Sequence, residues 1–280
     1  MRKGFTLIEF IFVIVIFGIM SKFGAEILYK IYENYVYSNT FNRLQNQSEA
    51  AVKQIANRLQ YRIKDSTIAR DSLAAGVEPI GSNDGTESVL EWIGVDIDGW
   101  KGTATTAPDW SGFIDLQASN AAALVSPGTT TVPTTLGNPA IFFIGSNVDL
   151  NGTAFGWDRV GAMPNQANDM HPVTFTAGVG LESATAGDFT GEDVYEYYQL
   201  AQTAYSVSLE GTDLLLYYNY QPWNGVHSYS AGTQSSLIME NVTSFKFTSM
   251  GDIMIIQVCV GDGNVTGLSE YSICKEKVVF

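Results

Sequence analysis

The sequence predicts an α+β chain: one long N-terminal helix, apolar through its first half, packed on an antiparallel, β-rich globular head. Three observations lead there. Residues 5–25 are almost continuously apolar. No proline occurs before Pro79, while Phe41, Leu44, Ser48, Val52, Ile55, Leu59 and Ile63 recur at steps of three and four. Past Asp71 this periodicity gives way to short β-prone runs separated by Gly, Asn, Asp and Pro. Steps of three and four mark one face of a helix, and short runs bounded by turn formers mark strands.

As a helix, residues 5–25 rise roughly 30 Å, enough to cross the hydrocarbon core of a bilayer. Arg2 and Lys3 precede the run, and positive residues favour the cytoplasmic side, so everything after about residue 25 is expected to be exported. Ser21, Lys22 and Phe23 follow the apolar run where a cleavable secretory signal would carry small residues, which predicts a retained anchor. Glu9 is the anomaly, because a carboxylate within an apolar span normally signals a partner or a function. Tyr29, Tyr32, Tyr35 and Tyr37 come next. They fit either a membrane–water interface, where one end of the ring is wet, or helix packing against sister chains. Gly18 and Gly24 permit close approach between helices but decide no function. Further on, Arg43, Gln45, Asn46, Gln47, Lys53, Asn57, Arg58 and Arg62 form the polar side opposite the apolar stripe, so the second half of the helix is expected to pack its stripe on the head.

The stretch Lys3-Gly4-Phe5-Thr6-Leu7-Ile8-Glu9 resembles the prepilin signature of type IV pilins and type II secretion pseudopilins. The resemblance implies that a dedicated prepilin peptidase cuts between Gly4 and Phe5 and methylates the new Phe5 amine. It also implies that Glu9 meets the Phe5 amine of a neighbouring subunit, a buried carboxylate being tolerable beside a buried cation. The partners implied are other pilins or pseudopilins, met through the N-terminal helix, and the peptidase. The location implied is a single pass in the inner membrane, N-terminus cytoplasmic and head periplasmic, followed by a pilus or pseudopilus. The organisation is then a leader at 1–4, a transmembrane helix at 5–25, an amphipathic stem at 26–70 and a head at 71–280. A plain single-pass anchor with a Glu near its cytoplasmic end is the alternative. Major pilins commonly have a helix-bending proline near the outer membrane edge; its absence here favours a minor component.

Charge divides unevenly. Residues 1–70 hold 10 Lys/Arg against 5 Asp/Glu, formally +5, and residues 71–280 hold 5 against 24, formally −19, within a total of −14. So acidic a head repels phosphate, and no nucleic-acid partner is expected. The 45% hydrophobic content excludes a disordered chain.

Within the head, residues 88–97, 140–144 and 173–177 read as strands, and 204–210 with 214–220 as a hairpin around Gly211-Thr212-Asp213. Residues 236–249, 253–260 and 271–280 continue a meandering antiparallel sheet. Residues 102–139, rich in Thr, Ala, Ser, Gly and Pro, read as a surface loop or variable insertion. The tyrosine-rich hairpin, the segment from Leu237 to Phe247 and the final apolar strand pair are similar to large minor pilins and pseudopilins of the W and J kinds. So is the stem around Arg58-Leu59-Gln60-Tyr61-Arg62. That likeness implies a priming or tip subunit.

Cys259 and Cys274 are the two cysteines. An even pair in an exported chain predicts a disulfide closing a Gly/Asn-rich turn, with two buried free thiols as the alternative. In that turn Asp262, Asn264 and Thr266, with Glu270 beyond, mimic the start of a calcium loop, but Ile273 stands where such loops place their bidentate Glu. A Gly/Asn-rich hairpin needing no cofactor is the simpler reading, and Asp149-Leu150-Asn151-Gly152 and Asp96-Ile97-Asp98-Gly99 read as turns. No catalytic residue is assigned. His171, His227 and the Glu192–Asp193 pair fall in no catalytic pattern, and the carboxylates are expected to be solvated. Trp92, Trp100, Trp110, Trp157 and Trp223 suit core packing better than sugar binding. The expected function is therefore initiation or capping of a type IV pilus or type II secretion pseudopilus by a non-enzymatic minor subunit. The alternative is a tip adhesin, a binding module at the end of a pilus.

Overall fold

The computed structural model describes residues 6–76, 78–82, 85–145, 170–184, 188–261 and 272–280. It is an α+β structure: a long helix, α1 (Leu7–Leu59), followed by antiparallel sheets in a globular head. The chain divides into two compact units, Met1–Gln47 and Ser48–Phe280.

In the first unit α1 is continuous, and its side chains from Thr6 to Tyr35 are exposed. In the second unit the last turns of α1 bury Ser48, Ala51, Val52, Ile55, Ala56 and Leu59, a stripe spaced at three and four as a half-buried helix requires. The helix stops at Leu59, one step before Ile63, the last residue of the three-and-four stripe. Arg62 Nη1 and Gln60 Nε2 cap its terminal carbonyls at Leu59 (2.9 Å) and Asn57 (3.1 Å). Beyond that, Ile63 N donates to Ile93 O (2.9 Å) and Val95 N to Tyr61 O (2.8 Å). Ile63 is thus buried as its place on the stripe predicts, but as extended chain, because a strand captures its backbone groups before another helical turn can.

That strand is β3 (Val89–Val95), one of nine in the larger sheet. Its companions are β1 (Ile68–Arg70), β2 (Glu78–Pro79), β4 (Ala140–Phe143), β5 (His171–Thr176), β6 (Gly180–Ser183), β7 (Tyr198–Glu210), β8 (Asp213–Tyr220) and β9 (Gln234–Met239). The order is β2-β1-β3-β7-β4-β5-β6, with β8 joining β7 to β9. β7 spans 13 residues and meets β3, β4 and β8 along different stretches. A separate three-stranded sheet comprises β10 (Val242–Met250), β11 (Ile253–Gly261) and β12 (Ser272–Val279).

Residues 236–249 are therefore not one strand. Met239 pairs with Leu214 in the large sheet and Val242 with Val260 in the small one. The change of partner occurs at Glu240-Asn241, where Asn241 takes φ 60°, a left-handed conformation that Asn tolerates better than most residues. In the small sheet Cys259 and Cys274 lie directly opposite each other and are joined as a disulfide, Cα–Cα 4.0 Å.

Residues 102–139 are irregular, yet they are not merely a surface loop. Trp110, Ile114, Leu124 and Val132 enter a core with Ile141, Phe143, Val173, Leu181, Phe189, Tyr198 and Leu200. Leu124 and Leu181 exchange backbone hydrogen bonds of 2.8 and 2.9 Å. Gly180 permits this approach: its φ is +126°, and a Cβ there would collide with the Leu124 carbonyl. A second core gathers Ile63, Ile68, Ile93, Ala140, Met170, Ala204, Tyr220 and Trp223.

Candidate assembly site

Met1 to Phe5, and with them the Gly4–Phe5 bond, lie outside the described residues. The site begins at Thr6, the residue just before α1. Its backbone N–H and its hydroxyl both donate to Glu9 Oε2, each at 2.9 Å. Thr and Glu three residues apart form the helix-capping pair that satisfies an orphan first-turn donor. In the single chain the Glu9 carboxylate therefore already has a use: it closes the start of the apolar helix, beside the positive end of the helix dipole.

From Leu7 onward Phe10, Ile11, Phe12, Val13, Ile14, Val15, Ile16 and Phe17 are all exposed, as are Tyr29, Tyr32 and Tyr35 further along. A Cβ added at Gly18 or Gly24 would meet nothing within 4 Å. Among the described residues α1 is the one helix long and apolar enough to cross a membrane. An apolar surface exposed around the whole circumference of a helix is stable against lipid or against other helices, not in water.

The head holds a buried polar cluster that pattern reading missed. Arg70 and Glu91 are both 0% exposed. Arg70 Nε donates to Glu91 Oε2 (2.9 Å), Tyr220 Oη to Glu91 Oε1 (2.7 Å), and Arg70 Nη1 to Ala75 O (2.6 Å). The Arg70 guanidinium also lies 5.8 Å from the centroid of the Tyr229 ring. Burial pushes the Glu91 carboxyl upward, while Arg70 and the Tyr220 hydroxyl pull it back. Burial and the facing Glu91 raise the Tyr220 phenol well above its usual range. One signal was legible: Glu91 interrupts the otherwise apolar run of β3, and a charge inside a fully buried strand demands a partner.

His171 starts β5 and is buried between Phe143 and Phe189, ring centroids 5.1 and 6.1 Å away. His227 stacks on Tyr229 at 5.1 Å. Glu192 is half-buried rather than simply solvated, and its carboxyl is raised first by burial and then by Asp193. Asp96 caps the short helix α2 (Ile97–Lys101), accepting from Gly99 N and from Trp110 Nε1 at 3.1 Å. Trp92, Trp110 and Trp223 are buried and Trp100 is half-exposed; Trp157 lies outside the described residues. So do Asp262, Asn264, Thr266, Glu270 and the segment from Asp149 to Gly152. Among the described residues no three His, Cys, Asp or Glu side chains cluster to hold a metal.

Burial lowers the His171 pKa from 6.5 to about 4. Between those values the unfolded chain binds more protons than the folded protein. Stability therefore falls as pH drops below 6.5, and the loss is complete below about 4. Its size is about 3 kcal/mol. His171→Leu is expected to remove this component, so that denaturant midpoints at neutral and mildly acid pH converge relative to the wild type. An unchanged midpoint difference would assign the acid sensitivity elsewhere.

A capped Glu stands in the first turn of an exposed apolar helix, and an antiparallel β head follows that helix in the chain. The prokaryotic N-terminal methylation motif matches residues 1–21, so the chain carries a type IV pilin-like prepilin signature. No curated protein and no solved structure matches it. The signature suggests a structural, non-enzymatic protein, and with the apolar helix it suggests membrane anchoring.

Proposed function

We propose that this chain is a minor pilin or pseudopilin that initiates or caps assembly of a type IV pilus or type II secretion pseudopilus. Prepilin peptidase cuts between Gly4 and Phe5 and methylates Phe5. Until extraction the chain spans the inner membrane through residues 5–25, N-terminus cytoplasmic and head periplasmic. On assembly Glu9 meets the Phe5 amine of a neighbour, and the apolar helices supply lateral cohesion. The single observation that carries this reading is the methylation motif running without interruption into an exposed apolar helix. The absence of a proline before Pro79 supports a minor role, and the Cys259–Cys274 disulfide suits an oxidising compartment.

Mass spectrometry of the mature N-terminus tests processing. The expected product starts at N-methylated Phe5; a mature protein that retains Met1 to Gly4 with Phe5 unmodified would overturn the proposal.

A further inference from the structure

The head contains a concavity of about 350 Å³ lined by four carboxamide residues, Asn138, Asn219, Gln221 and Asn224, and by Leu136 and Val226. None of its lining side chains is charged, in a chain whose formal charge is −14. That neutrality selects against ligands held by ion pairing, such as phosphates or ammonium groups.

The carboxamides are held in place. Gln221, 2% exposed, donates from Nε2 to Gln202 O at 2.8 Å, and its Oε1 accepts from Asn224 Nδ2 at 2.7 Å. Asn224 Nδ2 also donates to Asn138 O at 3.1 Å, an oxygen that Trp223 Nε1 reaches at 2.9 Å. Asn219 Nδ2 is fixed on Gln234 Oε1 at 2.9 Å. These bonds consume amide nitrogens. Among the described residues none takes the amide oxygens of Asn219 and Asn224 or either end of the Asn138 side chain. The cleft thus presents fixed acceptors together with a carboxamide that both donates and accepts.

The backbone is shaped around this arrangement. Asn219 sits where the β7–β8 register shifts and has φ 60°. A bulge of this kind re-aims a side chain at a cost in local strain. Gly137 has φ +128°, and a Cβ there would come 2.7 Å from Gln221 Oε1, so only glycine lets the chain close over that carboxamide.

We infer that this cleft binds a neutral saccharide. Vicinal hydroxyls both donate and accept, which matches fixed carboxamides, and sugar C–H faces can rest on Leu136 and Val226, 37% and 39% exposed. An extended peptide finds no open strand here, because β8 is already paired with both β7 and β9. The site rests on the head's own geometry and does not depend on filament assembly.

The test is saturation-transfer NMR on the full-length protein in a detergent without a sugar headgroup. The probes are maltotriose, cellotriose and chitotriose, each at up to about 10 mM, a weak-binding regime. At least one is expected to bind the wild type. Asn219→Gly keeps the left-handed backbone while deleting the amide, and should weaken binding roughly tenfold with an unchanged melting temperature. Asn224→Leu should also weaken binding, with a lower melting temperature because Gln221 Oε1 loses its donor, whereas Trp100→Ala, which alters the half-exposed tryptophan outside the cleft, should leave binding unchanged. Failure of all three sugars to bind, or binding that survives both Asn substitutions, or binding lost only in Trp100→Ala, would overturn the assignment.

Discussion

Glu9→Val is expected to leave membrane insertion intact and to reduce incorporation into filaments to the background of the assay. Valine lengthens an already apolar run, so entry into the bilayer becomes easier. What disappears is the only carboxylate among residues 5–25, and with it the proposed counter-charge for a neighbour's Phe5 amine. An unpaired ammonium in an apolar packing interface is strongly disfavoured, so the loss falls on assembly. The capping bonds from Thr6 make a second variant informative. Glu9→Gln keeps an acceptor for the Thr6 N–H but removes the charge. If Gln and Val fail alike, charge is what assembly needs; if Gln incorporates normally, the role of Glu9 is to close the helix. Normal incorporation of the Val variant would remove the docking role altogether. The readout is the ratio of sheared filament to membrane-retained protein.

Arg70→Leu is expected to destabilise the head by about 3–5 kcal/mol, because it strands the Glu91 carboxylate in a fully buried site. Against the 5–15 kcal/mol typical of whole domains, such a loss is severe. It corresponds to a drop on the order of 10 °C in melting temperature for a unit of this size. Tyr220 still donates to Glu91 Oε1, but one neutral hydroxyl does not replace a guanidinium. The double variant Arg70→Leu/Glu91→Leu removes both charges and should recover most of the loss, since apolar side chains of similar volume substitute well for buried ion pairs. Calorimetry or denaturant unfolding of the four proteins closes the cycle. A double variant as unstable as the sum of the two singles would show that the pair is not coupled.

Glu91 also illustrates where pattern reading stops. The run around it reads correctly as a strand, because apolar and aromatic residues cluster there. Its partner is Arg70, 21 positions away, and no local period connects the two. The helix end has the same explanation: Ile63 satisfies the three-four spacing, yet Ile93 claims its N–H. The hairpin of β7 and β8 was legible because its pairing is local, bounded by a turn at Gly211. The strands β1, β2 and β6 were missed. They are only 3, 2 and 4 residues long, too short to show alternation, and they exist through what they pair with. Residues 102–139 looked like a loop by composition, and only the folded chain shows Trp110, Ile114, Leu124 and Val132 entering a core.

Covalent order alone dictates the membrane-competent helix, the prepilin signature and the acidity of the head. Each depends on neighbouring residues or on summed composition, and neither changes when the chain folds. The end of that helix at Leu59, the split of residues 236–249 between two sheets, the Arg70–Glu91–Tyr220 cluster and the carboxamide cleft arise in three dimensions. They come from backbone and side-chain groups finding hydrogen-bond partners far along the chain, and burial makes those partnerships obligatory.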